Sequence, residues 1–411
     1  MLERRRPSER GSGPLRRASL RLLVCGLLWF SLSLGAGAWL LSRQGQQTGP
    51  LMLLREQDGP HVQALRQRAF TALLERAAAG VPHARLTCEP APDGEGVLHC
   101  AVEGLSAPLR LALGMQERVR VWRRSIRPDA ASPLLRPGEE PELVWRDDGS
   151  LEARIGGKAV QRIRFPGHEA RLGALARPLG AASLVIVIDD MGQRTDAAGQ
   201  LAALPFPVTL AVWPHARHAA EAERLAHEHG LDVLVHLPMQ PQPRRNKQPD
   251  PGPGALKEDM GGDAMRAILD AAFSRLPTAI GFNNHMGSRF TGSRTACRLL
   301  CSQLRGQGLF VLDSMTRDHA LLAEEARRQG LVSARRDIFL DNERKVPAIL
   351  AALDDAAEQA RRQGVAIAIG HPYPETLRAL REWRMDAGRE GVAVVSLRRL
   401  IWHLAVHAEA E

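Results

Sequence analysis

Two adjacent aspartates and three separated histidines are the residues of this sequence best suited to chemistry. Each follows an apolar run: Asp189 and Asp190 in "SLVIVIDD", His236 in "VLVHLPM", His285 in "GFNNHMGSRF" and His371 in "AIAIGHP". Carboxylate and imidazole groups are ligands for zinc and other divalent first-row metals. A bound cation would also relieve the repulsion between two neighbouring carboxylates.

Each of these residues has an alternative, purely structural interpretation. Asp189 and Asp190 could cap the next helix, a role that aspartate fills well, and His236 could be a core histidine bonded to the backbone. His285 and His371 stand beside Asn, Gly or Pro, which form turns without any catalytic reason. The occurrence of five such residues after four separate apolar runs favours one shared site.

The chain beyond residue 181 has the pattern that would bring them together. Apolar strands alternate there with amphipathic helices, as in βα units around a parallel sheet or barrel. The expected strands are Leu184–Ile188, Val208–Trp213, Asp232–His236, Ala279–Phe282, Leu309–Leu312, Asp337–Leu340 and Val365–Ile369. Because the carboxyl ends of parallel strands share one face, residues that follow these strands are expected to converge. Asp313 and Asp341 also follow strands, and helix capping is the favoured interpretation for both.

The run from about Ser183 to Leu400 resembles the divergent polysaccharide deacetylase family, a branch of the NodB-type deacetylase superfamily. The segments that carry the resemblance occur in the family's order and cover slightly more than half of the chain. They are "LVIVIDDMG", "LPFPVTLAVWPHA", "GLDVLVHLPMQP", "GFNNHMGSRFTG", "GLFVLDSMT", "RDIFLDNE" and "AIAIGHPYPETL".

The resemblance implies an α/β fold, a distorted (β/α) barrel of the polysaccharide deacetylase type, that holds a divalent metal, usually zinc. It implies that Asp189 is the general base and that His371 is the general acid. Asp190 and His236 would be metal ligands. Residues 181–405 would form this domain.

The sequence departs from the family pattern at one ligand position. The family usually has a second histidine four residues after the first, but Gln240 stands four residues after His236. His285 is the best candidate for the third ligand. The candidate substrate-binding residues are Asn284, Arg289 and Asp313, and a surface arginine is an equal interpretation of Arg289.

The basic excess of the chain is concentrated at its N-terminus. Residues 1–21 contain seven arginines and two glutamates, +5 of the formal net charge of +9, and residues 22–42 carry no charge. About 20 apolar residues cross a bilayer, and a basic flank stays in the cytoplasm. The pattern predicts a basic cytoplasmic tail (1–21) and a transmembrane signal anchor (22–42) of a single-pass inner-membrane protein with its main part in the periplasm. Cleavage of a signal peptide and secretion is the alternative.

Residues 43–180 are expected to form an extracytoplasmic α+β region whose role the sequence does not indicate. A helix is predicted over Val62–Ala79, and strands in "RLTCEP", "VRVWRR" and "LEARIGGKAVQRIRF". Cys88 and Cys100 flank a predicted turn, and the sequence is equally compatible with a disulfide between them and with two free thiols. Cys297 and Cys301 lie one helical turn apart, which favours ordinary packing.

The sequence argues for a hydrolase and against nucleic-acid binding. Aromatic residues make up 4% of the chain, and no basic stripe with stacking residues is evident. The leading hypothesis is a metal-dependent hydrolase of N-acetyl groups on envelope glycans, with peptidoglycan the nearest substrate. The rival is a membrane-anchored, catalytically inactive glycan-binding or scaffold protein, which Gln240 favours. Asp189 and His371 favour the enzyme, because a binder needs neither base nor acid. A phosphoesterase would want more basic residues or a second metal.

Overall fold

The computed structural model describes residues 60–92, 96–126, 132, 134–243, 249–383 and 391–407. The predicted cytoplasmic tail (1–21) and membrane anchor (22–42) lie outside these residues. Within the described ranges, no helix has both the length and the apolar character needed to cross a bilayer.

The first part of the described chain forms a five-stranded sheet covered by helices α1 (Pro60–Ala78) and α2 (Pro108–Ser125). In spatial order its described strands are β1 (Arg85–Pro90), β2 (Leu98–Glu103), β5 (Lys158–Arg164), β4 (Leu151–Ile155) and β3 (Pro141–Trp145). Strands β2 and β5 are parallel, and the other neighbours are antiparallel. A short helix, α3 (Glu169–Gly173), and a 3₁₀ turn (Ala174–Ala176) follow. This region is α+β in character; the boundaries predicted from the sequence stay a prediction.

The strand predicted in "VRVWRR" is wrong. These residues, 119–124, belong to the 18-residue helix α2, which begins with a proline at its first turn. Val119 is fully buried and Val121 is 64% exposed. Apolar residues alternate with arginines over these six positions, which resembles a strand. Over the longer segment Pro108–Ser125, however, apolar residues recur with the period of a helix, and the helix forms.

The cysteines take two different roles. Cys88 and Cys100 stand opposite each other on the antiparallel strands β1 and β2 and form a disulfide. Cys297 and Cys301 are buried and not bonded to each other. Burial raises the pKa of both thiols, as expected for cysteines that serve as packing.

The second part of the chain forms a large parallel sheet. In spatial order its described strands are β11 (Ser333–Arg335), β10 (Phe310–Asp313), β9 (Gly281–Met286), β8 (Asp232–Met239), β7 (Thr209–Val212), β6 (Ala182–Met191), β13 (Val365–Gly370) and β12 (Ile338–Phe339), and β14 (Val392–Val394) pairs with the start of β6. Arg336 and Asp337 alone connect the two edge strands β11 and β12, so the sheet curls until its edges approach each other. The predicted α/β class is confirmed as a curled parallel sheet. Strands β11 and β14 were not predicted, because three residues are too few to show periodicity.

Helices cover the outer face of this sheet. They are α4 (Asp196–Ala202), α5 (Ala219–Glu228), α6 (Gly262–Arg275), α7 (Arg294–Leu304), α8 (Leu322–Arg328), α9 (Val346–Gln363) and α10 (Pro374–Glu382). The last described helix, α11 (Leu397–His407), packs on the opposite face. Leu184, Ile186 and Ile188 pack with the helices in a helix-side core. Val185 and Val187 face the other way, into an inner core shared with the five-stranded region and α11. Alternate residues of each strand therefore face opposite cores.

Candidate active site

Strand β6 delivers both of its aspartates to one site. Asp189 lies two residues after Val187 and so continues the inner face of the strand, whereas Asp190 in a regular strand would point to the opposite face. The pairing of β6 with β7 shifts register between Ile188 and Met191, and Asp190 has a φ of 54°. This left-handed backbone, uncommon for a residue other than glycine, redirects Asp190.

Asp190, His236 and His285 form a compact triangle of possible ligand atoms, which we call the ligand triangle. Asp190 Oδ1 lies 3.2 Å from His236 Nε2 and 3.0 Å from His285 Nδ1, and the two nitrogens are 3.0 Å apart. Ligands of a tetrahedral zinc ion at 2.0–2.1 Å are roughly 3.3 Å from one another. Asp190 Oδ1 is buried and accepts no hydrogen bond from a described group. The three residues therefore fit a divalent cation.

The charges at the ligand triangle favour a cation. Burial raises the pKa of Asp190, but His236 and His285 outweigh that effect and hold it well below its ordinary value. Burial lowers the pKa of His236, but the charges of Asp189 and Asp190 prevail and raise it to about 9. Both carboxylates thus stabilise positive charge at this position.

Asn283 fixes the orientation of His236. The Asn283 amide nitrogen donates to Asp189 Oδ1 at 2.7 Å and to Ser314 Oγ at 3.1 Å. The amide oxygen therefore faces His236 Nδ1, 2.9 Å away, and this nitrogen must donate its hydrogen. In the neutral form of His236 the lone pair is therefore on Nε2, the atom that belongs to the ligand triangle, as metal-binding histidines require.

Asp189 lies beside the ligand triangle without belonging to it. Its side chain is almost fully buried, and Asp189 Oδ1 is 3.7 Å from His236 Nδ1. Burial raises the pKa of this carboxyl group, against the opposing effects of His236 and His371. A carboxylate that binds a proton more tightly than usual is suited to act as a base.

His371 is held by a buried aspartate, Asp341. The two oxygens of Asp341 contact His371 Nδ1 at 3.0 Å and accept hydrogen bonds from the His371 backbone at 2.6 Å and from Thr376 Oγ1 at 2.9 Å. His371 Nε2 is then 3.9 Å from Asp190 Oδ2. Burial lowers the pKa of His371, but Asp341, Asp189 and Asp190 raise it above its ordinary value.

Asn283 and Asp341 have positioning roles that were not predicted from the sequence. Asn283 stands two residues before His285 on β9 and opposite His236 on β8. The strand period of two, which places Asn283 on the same face as His285, could have indicated its role. Asp341 was expected only to cap a helix. It follows β12, the neighbour of the strand that carries His371.

A cleft of about 410 Å³ opens at these residues, within the usual size range of small-ligand sites. Its walls include Asp189, His236, His285, His371, Asn284 and Phe339. The Trp213 ring stacks on His285 with centroids 5.4 Å apart, and the Tyr373 ring stacks on His371 at 5.3 Å. The sequence analysis did not single out these aromatic residues.

The predicted substrate-binding residues take different places. Asn284 lines the cleft, but its amide donates to Met286 O and accepts from the Ser314 backbone. The Arg289 side chain is 44% exposed, forms an ion pair with Glu258 and does not line the cleft. Gln240, at the family's usual histidine position, accepts a hydrogen bond from the Glu258 backbone.

Asp313 is not brought to the cleft. Val311, two residues earlier, belongs to the helix-side core, whereas Leu312 belongs to the inner core. Asp313 lies on the same face of the strand as Val311 and is fully buried. Its carboxylate accepts hydrogen bonds from the backbone N–H of Met315 at 2.9 Å and of Ala323 at 3.3 Å. Burial raises the pKa of its carboxyl group. The capping interpretation fits this environment, since Ala323 lies at the start of α8.

Comparison with known proteins gives the family. A model described as divergent polysaccharide deacetylase matches residues 186–401. This match covers more than half of the chain, so the chain belongs to that family, and the resemblance seen in the sequence is confirmed.

Three known proteins are each similar to about half of the chain. The YibQ protein of Escherichia coli K12 is 37% identical over 213 residues, 52% of this chain and 66% of the relative, just under two thirds of its length. A protein of Haemophilus influenzae Rd is 34% identical over 197 residues, 48% of this chain and 69% of the relative. The crystal structure of ATU2773 from Agrobacterium tumefaciens C58 has 24% identity and a TM-score of 0.51, and the match covers 56% of this chain and 94% of that one. The last likeness concerns the fold.

Proposed function

We propose that this divergent polysaccharide deacetylase is a metal-dependent hydrolase that removes acetyl groups from N-acetylated glycans, with zinc as the first candidate metal. The observation that supports it most is the ligand triangle. A buried carboxylate, Asp189, and a carboxylate-bound imidazole, His371, lie within 4 Å of its members. This arrangement combines a cation site, a base and an acid.

Each residue then has a chemical task. A divalent cation held by the ligand triangle would polarise the amide carbonyl and lower the pKa of a water molecule. Asp189, which is not a ligand, accepts the proton of the attacking water. His371 donates a proton from Nε2 to the leaving nitrogen, while Asp341 holds the ring through Nδ1. The products are acetate and a free amino sugar.

We further propose that the reaction takes place in the cell envelope, with peptidoglycan as the nearest substrate. The charge pattern of residues 1–42 supports a single inner-membrane anchor with the enzyme in the periplasm; secretion after cleavage is the alternative. The Cys88–Cys100 disulfide supports an oxidising compartment.

A catalytically inactive glycan-binding or scaffold protein is the second candidate. Gln240 favours it, because the family's usual second histidine is replaced by a side chain that accepts a hydrogen bond from Glu258. Such a protein would bind glycan and still hold the cation, since His285 completes the ligand triangle.

Two measurements on the purified full chain separate the candidates. The first is metal content, expected at close to one divalent ion per chain in the wild type and in Asp189→Asn, and lost in His236→Ala. The second is acetate release from N-acetylated glycan fragments, expected for the wild type and strongly reduced in both variants. A wild type that holds the metal but releases acetate from none of these fragments would support the scaffold.

A further inference from the structure

We propose that a second cavity, at the opposite end of β9 from His285, binds the carboxylate or phosphate group of a small molecule through the guanidinium group of Arg110. This cavity has a volume of about 500 Å³. Its walls come from residues 80–83, from the start of α2 and from the end of α6 with Pro277, which precedes β9. We call it the Arg110 cavity. It lies between the five-stranded region and the large sheet, and the proposal does not depend on the deacetylase activity.

Arg110 is buried without a partner among the described residues. Its side chain is almost fully removed from solvent, with 5% of the residue exposed, and its Nε–H donates to no described acceptor. The one acidic residue of the described cavity wall, Asp270, lies 4.0 Å from Arg266 and forms no ion pair with Arg110. Isolated buried charges are costly, so arginine is rarely buried unless it is paired.

A second buried arginine shows the usual arrangement in the same molecule. Arg398 has 6% of its surface exposed, and its Nε lies 2.6 Å from Asp232 Oδ1. Its terminal nitrogen also donates to the Gly230 carbonyl at 2.6 Å. Arg110 has comparable burial but lacks such a carboxylate, and an anionic ligand in the cavity would supply it.

The start of helix α2 adds to the attraction for an anion. The helix has 18 residues, and its N-cap residue, Ala107, provides no side-chain hydrogen bond to the first turn. The helix dipole makes such an end favourable for negative charge, although Pro108 has no N–H and the Arg110 N–H donates to Ala107 O. Arg110 is the third residue of the helix, and helical side chains incline towards the N-terminus. The guanidinium and the helix end therefore act on the same space.

The walls of the cavity indicate the rest of the ligand. The guanidinium group of Arg110 lies over the Phe273 ring, and its central carbon is 5.2 Å from the ring centroid. Val81, Pro82 and Pro277 are further apolar wall residues. The planar guanidinium fork matches two oxygens of a carboxylate or a phosphate. We therefore infer a ligand that joins one such group to a small apolar body.

Calorimetric titration of the purified full chain with benzoate, phenyl phosphate and inorganic phosphate tests the proposal. Wild-type protein is expected to bind benzoate, phenyl phosphate or both, and the preferred probe identifies the anionic group. Arg110→Gln is expected to weaken that binding at least about tenfold. Arg110→Lys keeps the charge but loses the two-pronged guanidinium, so its affinity for the probe should lie between those of the wild type and Arg110→Gln. Asp190→Asn, in the ligand triangle, should bind the probes as the wild type does.

The folding of each variant is checked by circular dichroism. If both Arg110 variants fail to fold, Arg266→Gln on the cavity wall replaces them, with a severalfold loss of binding expected from the removed charge. The proposal is overturned if the wild type binds neither organic probe. It is also overturned if a folded Arg110→Gln protein, or its Arg266→Gln replacement, binds as tightly as the wild type. Loss of binding in Asp190→Asn alone would assign the probes to the catalytic cleft and equally contradict it.

Discussion

Strands β6 and β10 belong to the same sheet and both carry an apolar run into an aspartate at the same edge. Asp189 at the end of β6 follows Val187 on the inner face and lies beside His236. Asp313 at the end of β10 follows Val311 on the helix side and binds backbone N–H groups. Convergence at one edge of a sheet is therefore not sufficient for membership in a site. The face of the strand on which the residue lies, set by the alternation of side chains, also decides whether it reaches the site.

Asp190 shows how the backbone changes this rule. In a regular strand Asp190 would lie on the same face as Ile188, the helix side, yet its carboxylate belongs to the ligand triangle. The register shift and the positive φ of Asp190 account for the difference. A residue held in this way costs free energy locally, which the rest of the fold must offset.

The largest expected effect is that of Asp189→Asn. Since it removes the base and keeps the shape and the hydrogen bond from Asn283, acetate release should fall by about 10²–10⁴-fold. Metal content should not change, because Asp189 is not a ligand. A variant with acetate release within tenfold of the wild type would contradict the assignment of the base.

The next effect is that of Asp341→Asn. Asp341 raises the pKa of His371, and an acid works only while it is protonated. Without the carboxylate, the loss of activity on raising the pH should therefore begin at lower pH than in the wild type, together with a roughly 10–100-fold fall in kcat. The pH profile of kcat measures this. An unshifted alkaline limb would show that Asp341 has a structural role only.

Asp313→Ala is the matched control on the helix side. The partly buried N–H group of Met315 and the buried N–H group of Ala323 would lose their acceptor, which should lower the free energy of unfolding by about 1–3 kcal/mol. Acetate release per folded molecule should stay within about twofold of the wild type. Urea unfolding measures the first quantity. A stable variant with strongly reduced acetate release would return Asp313 to the substrate site.

The smallest effect is expected for Arg289→Gln. The Arg289 side chain is half-exposed and paired with Glu258 outside the cleft, and solvent largely screens an exposed ion pair. Both the free energy of unfolding and kcat/KM should change little, the latter by less than about twofold. A tenfold rise in KM for the glycan would instead place Arg289 in contact with the substrate.

Much of this site follows from patterns that a single sequence contains. The apolar runs before Asp189, His236 and His371 predict buried strands, and the period of two places these residues on one face. The positioning of His236 by Asn283 depends on strand register, which pairs residues far apart in the chain. The turn of Asp190 towards the site depends on a local register shift, for which the sequence gives no periodic signal.

The most direct test is a crystal structure of the full chain soaked with zinc, with anomalous data collected at the zinc edge. We expect one strong peak in the cleft, coordinated by Asp190 Oδ1, His236 Nε2 and His285 Nδ1, with Asp189 and Asp313 away from the ion. A cleft without a peak, or a peak bound by other residues, would contradict the central claim.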